Sequence, residues 1–223
     1  LFLVKISHMN LITNVKVSGI NSLTDARFFS GAGVQYAGFS FDKNNARYIP
    51  TEQVFQIKDW LAFPSLVAEF GKNSTVDEIN NVVTKIGFDY VELPDGFPIG
   101  AYSQLESTII QRVAVEHLGD ITELGDLLAT FPEQVDFFIL EFRASGFEWN
   151  VIELDQSSVD ALKALCVKYD VILDVNITLD NAERIVEMIE PLGIEIQSGD
   201  EIKTGVRSFE EIADLMEVLE AGY

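Results

Sequence analysis

The chain has 223 residues, 48% of them hydrophobic and 23% charged, enough apolar side chain for one sizeable core and too ordinary a balance for disorder. Its 36 acidic residues against 15 basic ones give a formal charge of −21, so a nucleic acid or an anionic membrane would bind against the field of the whole molecule. No apolar run approaches the roughly 18 residues of a membrane span or follows a basic segment as in a secretory signal, and the lone Cys166 excludes an internal disulfide, so a cytoplasmic setting is expected.

Residues 1–8 lead into Ser7-His8-Met9, which has the look of a cloning junction. They are expected to be a tag or disordered leader, with 9–223 forming a single domain. Asn14 to Ser18 is the first strand candidate, and Ser22 opens a capped helix through Phe29 that Gly31 and Gly33 stop. Tyr36 to Phe41 comes next, before a helix from Thr51 to Leu61. Leu66 to Phe70 precedes a helix that Ser74 opens and Gly87 ends after Ile86. Tyr90 to Leu93 leads to a short helical stretch at Ala101 to Glu106, and Thr108 to Val115 to one at Asp120 to Thr130. Asp136 to Phe142 precedes Gln156 to Lys168, where Cys166 falls in the apolar helical pattern and reads as core packing. Val171 to Asn176 precedes Leu179 to Ile189, and Ile194 to Ser198 precedes Ser208 to Glu220, with Thr178 and Ser208 as N-caps.

Eight strand and helix units in this length imply parallel pairing in a closed (β/α)8 TIM barrel, with an open doubly wound sheet as the runner-up. No G-x-G-x-x-G or G-x-x-x-x-G-K-[ST] loop follows any strand, which disfavours nucleotide binding of those kinds. Barrel active sites lie at the C-terminal ends of the strands, and here those ends are acidic: Glu69, Glu92, Glu116, Glu141 and Asp174. An unpaired carboxylate cannot cheaply face the helix layer, so several are expected to point into the barrel mouth. They are either rim residues paired with Arg112, Arg143 or Lys203, or a functional cluster. Phe137 to Leu140 before Glu141 and Phe142 after it suggest apolar surroundings that would raise its carboxyl pKa and suit it to general acid work. His117 after the fifth strand reads either as a surface residue or as a titrating group at the mouth.

Val15-Lys16-Val17-Ser18-Gly19-Ile20-Asn21 with Leu23-Thr24-Asp25-Ala26, then Gly31-Ala32-Gly33, Gly38-Phe39-Ser40-Phe41 and Ala46-Arg47-Tyr48-Ile49, resemble in order and spacing the opening of the phosphoribosylanthranilate isomerase family. Ser145-Gly146-Phe147-Glu148-Trp149 and Gln197-Ser198-Gly199-Asp200-Glu201 extend that resemblance over nearly the whole chain. It implies an Amadori rearrangement of an aminoaldose phosphate in tryptophan biosynthesis, with no metal or organic cofactor. A general acid protonates the ribose ring oxygen to open the ring to a Schiff base, and a general base removes the C2′ proton.

The resemblance places the base, a cysteine in the family, at Ser18 and the acid, an aspartate in the family, at Glu141. Serine has no ionisation comparable to a thiol of pKa ~8.5. Glutamate keeps the acid but moves it by one methylene. Arg47 matches the arginine that contacts the substrate carboxylate, and Ser198 and Gly199 match part of the phosphate turn. The family's glycine pair after the seventh strand is replaced by Asn176-Ile177-Thr178, and its H-G after the fourth by Pro94-Asp95-Gly96. Asp200 is expected to repel phosphate unless it turns away or pairs with Lys203. A sugar phosphate or carboxylate is thus the expected ligand, converted by an isomerase of impaired or altered activity. The alternatives are a degenerate barrel kept for ligand binding or protein association, and an acidic mouth holding a divalent cation.

Overall fold

In the computed structural model, which describes residues 10–199, 201–203, 206–207 and 209–221, eight strands follow one another around a closed barrel. They are β1 (Asn14–Ser18), β2 (Tyr36–Ser40), β3 (Ser65–Glu69), β4 (Tyr90–Leu93), β5 (Thr108–Ala114), β6 (Val135–Glu141), β7 (Val171–Asp174) and β8 (Gly193–Gln197). Every pair is parallel, and β8 closes on β1 in register from Asn14↔Gly193 to Ser18↔Gln197. This closure excludes the open sheet. The expected leader, 1–8, lies outside the described residues.

The outer layer is α1 (Leu23–Gly31), α2 (Thr51–Ile57), α3 (Val76–Ile86), α4 (Leu124–Leu128), α5 (Trp149–Leu154), α6 (Gln156–Lys168), α7 (Ala182–Ile189) and α8 (Glu210–Val218). Ser22 caps α1 in a reciprocal box with Asp25, as its sequence suggests. Several details differ from expectation, among them α5, which no expected helix covers. Thr75, not Ser74, caps α3, because it stands three residues before Glu78 and so completes the box. Asn181, not Thr178, stands at the N-cap of α7, and its side chain accepts the Thr178 N–H to close the preceding turn. The stretches at Ala101 to Glu106 and Asp120 to Thr130 form mainly 3₁₀ turns, with only α4 as true α-helix. Ser208 lies outside the described residues. A short antiparallel pair, β9 (Glu201–Lys203) and β10 (Val206–Arg207), follows β8 and had no counterpart among the expected elements.

Alternation along the strands sorts side chains between two cores. Val15, Val17, Ala37, Phe39, Ala68, Val91, Leu140 and Leu173 face outward and pack with the helices. Val67, Ile110, Phe137, Ile139 and Ile172 face inward, closed below by Tyr36, Tyr90 and Leu192. The aromatic rings of Tyr36, Tyr90 and Phe137 plug the lower end of the barrel at centroid distances of 5.1 to 5.8 Å. Cys166 packs against the outer core, and burial pushes its thiol up to about 12, so it stays protonated as the packing residue expected. No helix among the described residues is long and apolar enough to cross a membrane.

Candidate active site

One layer above the aliphatic interior, the same alternation places charges at the barrel axis. On β1 it turns Lys16 and Ser18 inward, and on β8 Glu195, opposite Lys16 in the register. The Lys16 side chain is wholly buried, and its three N–H bonds go to Ser18 Oγ (2.6 Å), Glu69 Oε1 (2.8 Å) and Glu195 Oε2 (3.0 Å), with Glu92 also 2.8 Å away. Burial favours the neutral amine, but Glu195, Glu69 and Glu92 outweigh it and hold the lysine pKa above its ordinary value. Arg112 on β5 completes the plug. Its guanidinium meets Glu92, Asp174 and Glu195, each at 2.8 Å, and reaches Glu141 at 3.9 Å. Arg143, just beyond β6, donates to Asp174 at 2.9 Å.

Five carboxylates thus face three cations, and two of them, Asp174 and Glu195, shift in opposite directions. Burial pushes Asp174 up to about 6, helped by Glu195 and opposed by Arg112 and Arg143. Burial acts on Glu195 in the same sense, but Arg112 and Lys16 overcome it and bring its carboxyl down to about 2. The two have opposite consequences for stability. Glu195 stabilises above the unfolded carboxylate range, and that contribution is lost as pH falls toward 2. Asp174 keeps in the folded state a proton that the unfolded chain releases near 4, so its contribution declines as pH rises from about 4 to 6. Urea titrations from pH 4 to 7 should therefore show the wild type losing on the order of 2 kcal/mol relative to Asp174→Asn as pH rises. Parallel curves for the two proteins would contradict the assignment.

Of the five strand-end carboxylates, several of which were expected to point into the mouth, Glu69, Glu92, Glu141 and Asp174 do so and Glu116 is exposed. The ion-pair reading of this set is correct for Arg112 and Arg143, while the Lys203 side chain lies outside the described ones. Lys16 and Glu195 sit one layer below the strand ends, and only stepping back by two along each strand would have drawn attention to them. His117 is exposed where a 3₁₀ turn begins, its backbone N–H donating to Asp120. Among the described residues no group of three or more His, Cys, Asp or Glu is arranged to hold a metal ion, and the mouth carboxylates already face cations.

Glu141 does not sit among phenylalanines. Phe138, Leu140 and Phe142 turn to the outer core and Phe137 and Ile139 to the lower barrel, so the carboxylate emerges at the rim opposite Ala114 and Asp174. Its side chain is 20% exposed, the most open of the five, and the 3.9 Å approach to Arg112 is its one ion pair among the described residues.

Arg47, Ser198 and Gly199 converge. Arg47 Nη1 donates to Ser198 Oγ (2.5 Å) and to the Gly199 carbonyl (3.3 Å), and Ser198 Oγ donates to the Gly19 carbonyl at 2.8 Å. Gly19 must be glycine twice over: its φ is +71°, and a Cβ there would collide with the Arg47 stem. Beside them a cavity of about 780 Å³ opens between the β7 and β8 loops and α8, lined by Arg143, Asn176, Thr178, Ser198 and Gly199 but also by Asp180 and Glu211. It offers an anion one arginine and several hydrogen-bonding side chains against three acidic residues in its lining, Asp180, Glu211 and the deeper Glu195. Asp200, expected to oppose phosphate, lies outside the described residues.

No family model matches the chain. It is 26% identical over 200 residues to the N-(5'-phosphoribosyl)anthranilate isomerase of Thermotoga neapolitana, covering 87% of this chain and 92% of that protein. The isomerase of Rubrobacter xylanophilus is also 26% identical, over 89% of this chain and 95% of its own length. The tryptophan biosynthesis protein TrpCF of Helicobacter pylori matches at 24% identity over 92% of this chain and 43% of itself. Among solved structures, phosphoribosylanthranilate isomerase from Thermotoga maritima superposes with a TM-score of 0.75 at 20% identity, covering 93% of this chain and 98% of its own. The structure of the enzyme with reduced 1-(o-carboxyphenylamino)-1-deoxyribulose 5-phosphate gives 0.71 at 22%, covering 93% and 98%. The resemblance read from the residues is thus matched by curated homologues over most of the chain, and the TIM barrel by the solved structures.

Proposed function

We propose that the chain is an isomerase of the phosphoribosylanthranilate type, carrying out the Amadori rearrangement of an aminoaldose phosphate at a rate held down by the loss of the thiol base. The observation that carries this reading is Glu141. It occupies the position that the resemblance assigns to the general acid, and it is the mouth carboxylate least consumed by the ion network. Protonated, it gives its proton to the ribose ring oxygen. The base acts from the Ser18 corner of β1, and Arg47 at the rim takes the substrate carboxylate through its guanidinium donors. The phosphate falls to the β7–β8 cavity, where Arg143, Asn176 and Thr178 supply the donors and Asp180 and Glu211 weaken the hold. The reading needs no metal or organic cofactor and places the protein in the cytoplasm.

A second reading, a barrel that keeps the ligand but not the reaction, is favoured by one contact: Ser18 Oγ accepts a hydrogen bond from a lysine held charged, which cannot take its proton. Freshly generated phosphoribosylanthranilate, incubated with the purified protein and followed by chromatography of the ketose product, separates the two. Turnover is expected in the wild type, with Ser18→Cys faster. An inert wild type whose Ser18→Cys variant is also inert would overturn the isomerase reading.

A further inference from the structure

We propose that Glu69, rather than Ser18, is the general base of the isomerisation, its carboxylate carried over Gly38 into the corner where the family places its cysteine. This rests on the isomerase reading above. Gly38 lies inward on β2, between β1 and β3, and with no side chain it leaves the space through which Glu69 reaches β1. A Cβ at Gly38 would lie 2.7 Å from Glu69 Cδ and 3.0 Å from the Val17 carbonyl oxygen, so any other residue there would drive the carboxylate away. Through that gap Glu69 Oε2 accepts the Gly19 N–H at 3.2 Å, and Oε1 accepts Lys16 Nζ at 2.8 Å. Ser18 Oγ accepts from the same ammonium at 2.6 Å. Carboxylate and hydroxyl are therefore two ligands of one cation, side by side at the end of β1.

Of the two, only the carboxylate ionises near neutral pH. It also keeps 12% of its side chain open to the mouth, against a Lys16 side chain that is sealed. Burial lifts its pKa above the usual carboxylate range against the pull of Lys16, with Glu92 and Glu195 adding to the lift, which strengthens it as a base. Lys16 is the positioning residue that fixes the carboxylate. In the step itself, one oxygen of Glu69 takes the C2′ proton of the protonated Schiff base. The C2′–H electron pair becomes the C1′–C2′ double bond of the enolamine, the C1′–N π pair moves onto nitrogen and cancels its charge, and Glu69 leaves the step as the carboxylic acid.

Steady-state kinetics on the full chain with phosphoribosylanthranilate test this, with thermal melts run alongside. Glu69→Ala is expected to lower kcat by about 10²- to 10⁴-fold with KM within a few-fold, and added formate, small enough to enter the vacated space, to restore at least tenfold. Ser18→Ala is expected to lose about tenfold, through the hydrogen bond it gives up, and formate to restore nothing. Gly38→Ala keeps every charged group and should approach the Glu69→Ala defect by displacing the carboxylate, which holds the test open if Glu69→Ala does not fold. A Ser18→Ala loss equal to that of Glu69→Ala, or full activity in either Glu69→Ala or Gly38→Ala, overturns the proposal. An inert wild type beside an active Ser18→Cys overturns it while leaving the isomerase scaffold standing. Inactivity of both removes the two readings together.

Discussion

Arg112→Met should cost about 3 to 5 kcal/mol of stability at pH 7, the largest loss expected from a single substitution at the barrel mouth. The guanidinium is the shared partner of Glu92, Asp174 and Glu195, all at 2.8 Å and all at most 7% exposed at the side chain. Methionine fills a similar volume, so the loss reports charge rather than a cavity. Without Arg112, Asp174 keeps Arg143, and Glu92 and Glu195 keep only Lys16 among the described cations. In a domain of this size the deficit corresponds to a fall in Tm of roughly 6 to 20 °C. It should shrink toward pH 5, as the orphaned carboxylates take up protons instead. Adding Glu195→Met to Arg112→Met should recover part of the loss, because an apolar pair replaces a half-broken ionic one. A fall in Tm of less than 2 °C for Arg112→Met would mean that the ion network contributes little.

The second large effect is on activity. Glu141→Gln keeps the shape of the side chain and removes its ability to supply a full proton, so kcat with phosphoribosylanthranilate should fall by about 10²- to 10⁴-fold. Stability should hardly move, since the one ion pair of Glu141 among the described residues is a 3.9 Å approach to an arginine that has closer partners. That separation distinguishes Glu141 from its neighbour Asp174, whose replacement disturbs both Arg112 and Arg143. KM should stay within a few-fold, as for a group whose contribution is made in the transition state. Wild-type kcat in Glu141→Gln would remove Glu141 from the mechanism and shift the acid to another mouth group.

Much of the barrel was legible in the residues because strand ends and helix starts are local events. Asn14 to Ser18, Tyr90 to Leu93 and Gln156 to Lys168 have the expected limits, and the other barrel strands lie within two residues of theirs. The caps that slipped did so for different reasons: Thr75 displaces Ser74 because its side chain reaches the Glu78 N–H, whereas Asn181 displaces Thr178 without a side-chain cap, its amide oxygen holding the Thr178 N–H of the preceding turn. The candidate site was legible only where its residues stand at or near strand ends, as Ser18, Glu69, Glu92, Glu141 and Asp174 do, or in a recognisable motif, as Arg47, Ser198 and Gly199 do.

What the chain alone determined is the period-two pattern, the eight units, and the motif order that resembles the isomerases. The meaning of Lys16, Gly38, Arg112 and Glu195 was decided by closure. A lysine two residues before a strand end is unremarkable until β8 pairs with β1 and sets Glu195 beside it. A glycine in β2 signifies little until β3 brings Glu69 across it. The physical reason is that strand periodicity states which face a side chain takes. Which charges then share one buried axis depends on the stagger of eight strands around the barrel, and no segment of the sequence carries that by itself.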